Sequence, residues 1–180
     1  RDIFCPETGR ILEKISREEE AVRLSGWKLS LEVWSEGEIP SESKKTVHVW
    51  EKLDHLIPWK ELPGMEGAAG VGVYRITFSF DQGAAGYYLK LGKVKDSISV
   101  KVNGRELCID PLSKTIDLGE LAPGENVLEI TVASPLLNAL LEYGKRHPYY
   151  DSQGKADERE PDAYGLLEDV YLVPYRVKDL

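Results

Sequence analysis

The chain has 180 residues, of which 42% are hydrophobic and 30% charged with both signs mixed, so it is long enough for one sizeable core and does not have the composition of a disordered chain. Its formal net charge is −8 and no basic stripe is present, which argues against nucleic acid and anionic lipid as partners, because phosphate neutralisation supplies most of the affinity for nucleic acid. No apolar run approaches the roughly 18 residues that a transmembrane helix needs.

Residues 1–26 read as an N-terminal approach segment. Glu18, Glu19 and Glu20 form a solvated face or a short helical turn, and Ile11, Leu12, Ile15, Val22 and Leu24 are available to pin the segment to the body. The first residue is Arg1, so the chain is expected to be a piece of a longer polypeptide or a processed form. From Trp27 the pattern changes. Trp27, Leu29, Leu31 and Val33 alternate with Lys28, Ser30, Glu32 and Trp34, the period of a half-buried strand. The two tryptophans therefore lie on opposite faces, and at most one belongs to the core. Residues 35–45 read as a loop, 47–50 as a short strand, and 51–64 as a helical turn broken at Pro58. Residues 64–72, rich in Gly and Ala, read as a close-approach loop.

Strands are expected at 73–80, 87–91 and 97–102. The last runs into Asn103-Gly104, which suits a type I′ hairpin turn because both central residues need positive φ. Residues 105–109 return, 115–118 form a short strand, Pro123-Gly124 turns, and 127–132 alternate again. Residues 136–141 are either strand or helical turn. Residues 143–163 read as a long polar loop, and 170–177 as the closing strand. Eight or nine short strands without a βαβ rhythm imply an all-β, antiparallel two-sheet sandwich over residues 27–180.

The ordered blocks GVGVYRITFSF (70–80), YYLKLGKVKDSISVKVNGREL (87–107), IDLGELAPGENVLEITVASPLLNAL (116–140) and YGLLEDVYLVPY (164–175) resemble the galactose-binding-like jelly roll of glycoside hydrolases. The pattern is similar to the sugar-binding domain of family 2 glycosidases and closer to the C-terminal domain of family 106 α-L-rhamnosidase-like proteins. The resemblance spans roughly 27–175. It implies a secreted or cell-surface, carbohydrate-binding accessory domain whose catalytic acids lie elsewhere in the parent polypeptide; the alternatives are a purely structural domain that buttresses a catalytic domain, or a protein-interaction module. It assigns structural roles to Gly92, Val94, Asp96, Asn103, Gly104, Gly124 and Asn126. The pair Glu168-Asp169 stands where such domains carry glycine or proline.

No Ser-His-Asp set, P-loop, HExxH or dinucleotide fingerprint is present, and 31 acidic residues make candidate carboxylate pairs uninformative, so catalysis by this chain alone is not expected. Binding a plant-type glycan or oligosaccharide requires flat apolar faces for pyranose C–H surfaces and planar polar groups for hydroxyls. The 143–163 stretch offers Tyr143, Arg146, His147, Tyr149 and Tyr150 in a short span. It serves binding, packing on a catalytic domain of the same polypeptide, or neither. Trp50 and Trp59 are either packing residues or further sugar platforms. Asn138, inside the apolar run LLNALL, either braces a neighbouring loop or holds a sugar hydroxyl. Asp96, Glu168 and Asp169 are available to a structural calcium ion, although no calcium-loop spacing exists and no other cofactor is expected. Cys5 and Cys108 lack metal-site spacing and read as free thiols or, alternatively, as one long-range disulfide.

Overall fold

The computed structural model describes residues 2–5, 10–39, 41–80, 84–109, 115–147 and 159–179. Its strands are β1 (Asp2–Cys5), β2 (Arg10–Ser16), β3 (Val22–Arg23), β4 (Trp27–Glu36), β5 (Ser43–Leu53), β6 (Gly70–Phe80), β7 (Gly86–Lys90), β8 (Val94–Lys95), β9 (Ser97–Val102), β10 (Arg105–Glu106), β11 (Thr115–Gly119), β12 (Gly124–Ala133), β13 (Gly165–Leu166) and β14 (Tyr171–Asp179). One helix, α1 (Leu137–Arg146), follows β12. Among the described residues, one large sheet runs β1-β2-β14-β7-β11 with β3 also on β14, a second runs β10-β9-β12-β6-β4-β5, and β13 pairs with β8 in a small two-stranded sheet. All their pairings are antiparallel. The two large sheets pack as an all-β sandwich. No described helix is long and apolar enough to cross a membrane.

The period-two pattern decides which faces meet. Trp27, Leu29 and Leu31 point inward from β4 and are fully buried. They join Leu128, Ile130 and Val132 of β12, and Leu89 and Leu172 from the opposite sheet. Each large apolar side chain buried in this way contributes about 1.5–3 kcal/mol. Asn103 and Gly104 both have positive φ, 50° and 79°, and Val102 pairs with Arg105, as the expected hairpin requires. Asn103 Nδ2 donates to Oδ1 of the buried Asn126 at 2.8 Å, and the Val127 N–H donates back to Asn103 Oδ1 at 2.8 Å. The hairpin tip is thereby tied to the start of β12.

Several elements differ from expectation. β5 is 11 residues long rather than a short strand, because β4 supplies nine paired positions along it while its other edge is free of backbone partners among the described residues. Residues 137–141, with Leu136 as the cap, begin a helix that continues to Arg146, so the expected polar loop does not begin at 143. Strand pairing beyond the hairpin stops at Glu106. In the N-terminal stretch, β2 pairs with β14 from Tyr175↔Ser16 to Asp179↔Leu12. Leu24 is buried, Ile15 is half-buried, and Val22 is exposed rather than pinned; the side chains of Ile11 and Leu12 lie outside the described ones.

Residues 54–69 cross from the end of β5 to the start of β6 and are anchored by Trp59. This residue is fully buried, so it serves the core and offers no ring face to a ligand. Its Nε1 donates to the Tyr74 hydroxyl at 2.6 Å, and the same oxygen accepts the Leu166 N–H at 3.2 Å. Burial, opposed by these two donors, pushes the Tyr74 pKa up to about 12. Gly72 and Gly165 make room for the ring: a Cβ would stand 2.5 Å from Trp59 Cζ2 at the first and 2.4 Å from Trp59 Nε1 at the second. Gly165 also has φ +96, which disfavours any side chain. Trp59→Ala is expected to cost about 3–5 kcal/mol in urea denaturation. Trp59→Phe, which removes only the indole donor and some volume, is expected to cost about 1–2 kcal/mol.

Candidate functional site

An open groove of about 430 Å³ lies at the C-terminal end of β4. One wall is Val33 to Ser35 with Thr46 and His48 of β5, and the other is the 64–68 segment with Ala139, Glu142 and Arg146 of α1. Trp34 is held firmly at this wall. Its Nε1 donates to Glu32 Oε1 at 2.9 Å, and Lys45 Nζ lies 4.3 Å from its ring centroid while pairing with Glu32 at 3.2 Å. The Trp34 N–H and, after it, Lys45 hold the Glu32 carboxyl below its ordinary value. His48 lies beside Trp50, with ring centroids 6.2 Å apart and planes 31° apart.

The helix wall is built by close approach. A Cβ at Gly67 would stand 2.0 Å from Glu142 Cγ, so a larger residue there would have to displace the Glu142 side chain. Asn138 locks the contact. It is 1% exposed, and its Nδ2 donates to the carbonyls of Ala68 at 3.3 Å and Asp162 at 2.9 Å, while the Asp162 N–H donates to Oδ1 at 2.8 Å. Both amide protons are used within the protein. Asn138 therefore braces the groove wall and the 159–164 segment and does not hold a ligand hydroxyl.

At the other end of α1, Glu36 gathers two of the expected binding residues. Arg146 Nη1 lies 2.8 Å from Glu36 Oε1, and His147 Nε2 lies 3.3 Å from Oε2. His147 also stacks on Tyr143, with centroids 4.5 Å apart and an interplanar angle of 29°. Lys145 and Arg146 in the last turn suit the negative end of the helix dipole. Of these residues only Arg146 lines the groove; Tyr143 stands on the exposed side of the helix. Tyr149 and Tyr150 lie outside the described residues. Trp50 is half-buried, packs on the core from the edge strand, and does not line the groove. Trp34, Thr46, His48 and Glu66 line it without having been singled out as binding residues in the sequence. The available signal was that Trp34 is the outward tryptophan of its strand and leads into a polar loop.

The acidic residues Asp96, Glu168 and Asp169 serve separate tasks. Asp169 Oδ1 accepts the Leu56 N–H at 3.0 Å, and Oδ2 lies 3.0 Å from Arg23 Nη1 and 3.2 Å from His55 Nδ1. Burial opposes ionisation there, but the Leu56 N–H, Arg23 and His55 outweigh it and hold the Asp169 carboxyl below 3.8. Glu168 Oε2 accepts the Lys93 N–H at 3.0 Å. Asp96 sits at φ +77, its pKa raised chiefly by burial. Among the described residues no three His, Cys, Asp or Glu side chains converge to hold a metal ion. Cys108 is exposed and free.

The fold is shared with solved glycoside hydrolases. A rhamnosidase from Novosphingobium sp. PP1Y superposes with a TM-score of 0.64 at 19% identity, over 92% of this chain and 15% of that one. Two GH2 beta-galacturonidase structures from Eisenbergiella tayi, bound to galacturonate and to glycerol, give TM-scores of 0.50 and 0.51 at 18% identity, over 86% and 89% of this chain and 24% of each of theirs. This chain thus spans less than a quarter of the length of these three structures. No family model and no curated protein matches the sequence. At these identities the likeness establishes the all-β fold of a domain that these much larger chains contain.

Asn138→Ala is expected to cost about 2–3 kcal/mol in urea denaturation, because it strands the Asp162 N–H and two carbonyls. Asp169→Asn is expected to cost about 1–2 kcal/mol at pH 7. The folded carboxyl titrates below its ordinary 3.8, so its contribution is complete above that value and is lost as the pH falls through the lowered pKa. The two proteins' stabilities, measured by denaturation from pH 7 to pH 2.5, should converge at the acid end.

Proposed function

We propose that this chain is a non-catalytic, carbohydrate-binding module of a larger, rhamnosidase-like glycoside hydrolase, and that the groove beside Trp34 receives the glycan. The observation that carries this reading is an indole fixed in orientation at the wall of an open groove. Pyranose rings present C–H faces that pack on such a surface, and Thr46, His48 and Arg146 supply donors and acceptors for hydroxyls around it. Asn138 holds the opposite wall in place, so little ordering is needed on binding. The catalytic acids belong to another domain of the parent polypeptide, consistent with the small share of each glycosidase chain that this fold occupies.

A second reading rests on a separate feature. Leu136, Leu140 and Tyr143 lie at i, i+4 and i+7 of α1 and its approach, and are 43%, 63% and 41% exposed. An apolar ridge of this kind suits packing against the catalytic domain, the buttressing role.

Titration calorimetry with rhamnose- and galactose-containing oligosaccharides should give micromolar to millimolar binding. Trp34→Ala should weaken it about tenfold through loss of the stacking face. Absence of heat with every oligosaccharide, together with tight association with the parent catalytic domain, would favour buttressing instead.

A further inference from the structure

The charges lining the groove are not balanced. Arg146 is neutralised by Glu36 at 2.8 Å, Glu142 by Lys145 at 2.6 Å, and Lys45 beside Trp34 by Glu32 at 3.2 Å. Glu66 is different. It is exposed, it lines the groove on the 64–68 segment, and among the described residues it has no ion pair or hydrogen-bond partner. An occupant therefore meets one uncompensated carboxylate in a groove whose cations are already engaged, on a chain of net charge −8.

From this, resting on the groove reading above, we infer that the groove selects uncharged sugars and excludes uronates, and that Glu66 is the residue that sets the selection. A neutral pyranose uses the Trp34 face and offers hydroxyl donors that Glu66 accepts. Among the described residues of the lining, a sugar carboxylate meets only the Arg146 cation, already paired with Glu36, and approaches a like charge. The segment carrying Glu66 does not swing away, because the Ala68 carbonyl is held by Asn138, the Ala68 N–H bonds the Met65 carbonyl at 2.9 Å, and the Met65 side chain is buried. The other titratable groups of the lining are Glu142, Arg146 and His48.

The test is paired calorimetry at pH 8 and low ionic strength, with a galactose oligosaccharide and a galacturonate oligosaccharide of equal length. The neutral sugar should bind more tightly. Glu66→Gln should raise the galacturonate-to-galactose affinity ratio about fivefold, the size of one charge contact in a water-like medium, and 0.5 M salt should shrink that change. Glu66→Ala, equally exposed and harmless to folding, should shift the ratio in the same direction. Equal or tighter galacturonate binding by the wild type, or an unchanged ratio in both variants, overturns the selection while leaving the groove as a sugar site. No binding of either sugar overturns both.

Discussion

The Trp59 indole and the Tyr74 hydroxyl form the contact on which the rest of the molecule depends. Residues 54–69 must travel between two strands of the same sheet without a partner strand of their own. A segment of this kind carries backbone groups that cannot be buried unless something closes over them. Trp59 supplies that closure. Its ring fills the space left by Gly72 and Gly165, its Nε1 satisfies Tyr74, and its backbone N–H bonds the Tyr164 carbonyl at 2.9 Å. The Leu166 N–H reaches the same hydroxyl, so the crossing segment, β6 and the return toward β14 meet at one oxygen.

The groove inherits its shape from that anchor. Directly after Trp59 the chain makes a tight turn, with the Leu62 N–H bonding the Trp59 carbonyl at 2.9 Å, and then the Met65 and Ala68 N–H groups bond the Leu62 and Met65 carbonyls at 3.0 and 2.9 Å. Asn138 then closes the far end by bonding both Ala68 and Asp162. A buried amide with all its protons used is rigid, because releasing it would leave several polar groups without partners. The groove is thus formed by elements whose positions are decided in the core, and Trp34 is oriented by its neighbours Glu32 and Lys45.

The opposite carboxylate network has a different role. Asp169 joins Arg23 and the adjacent His55 and Leu56 backbone, two places distant in sequence, at the foot of β14. In the adjacent pair Glu168-Asp169 both carboxylates tie loops together, Glu168 by receiving the Lys93 N–H and Asp169 by pairing with Arg23. Gly92 is glycine because a Cβ would stand 2.5 Å from Glu168 Cβ.

Local chemistry made much of the sandwich legible. The alternation of Trp27, Leu29 and Leu31 against polar neighbours, and the two positive-φ residues at Asn103-Gly104, specify strand and turn within a few residues of themselves. Leu136 to Leu141 was ambiguous because a short apolar run fits strand and helix alike, and what resolves it is Asn138, whose amide finds its partners at Ala68 and Asp162. The same sequence stretch placed Arg146 and His147 near a rim, but their shared partner Glu36 lies 110 residues earlier and is set by how α1 meets β4. Trp59 and Trp34 show the division most clearly. Both are tryptophans near turns, and the sequence alone determined that each needed an apolar surface and a partner for its N–H. Only the tertiary structure decided that Trp59 would find them inside, against Gly72, Gly165 and Tyr74, and Trp34 at a groove beside Glu32 and Lys45, because burial is a property of which distant residues leave room.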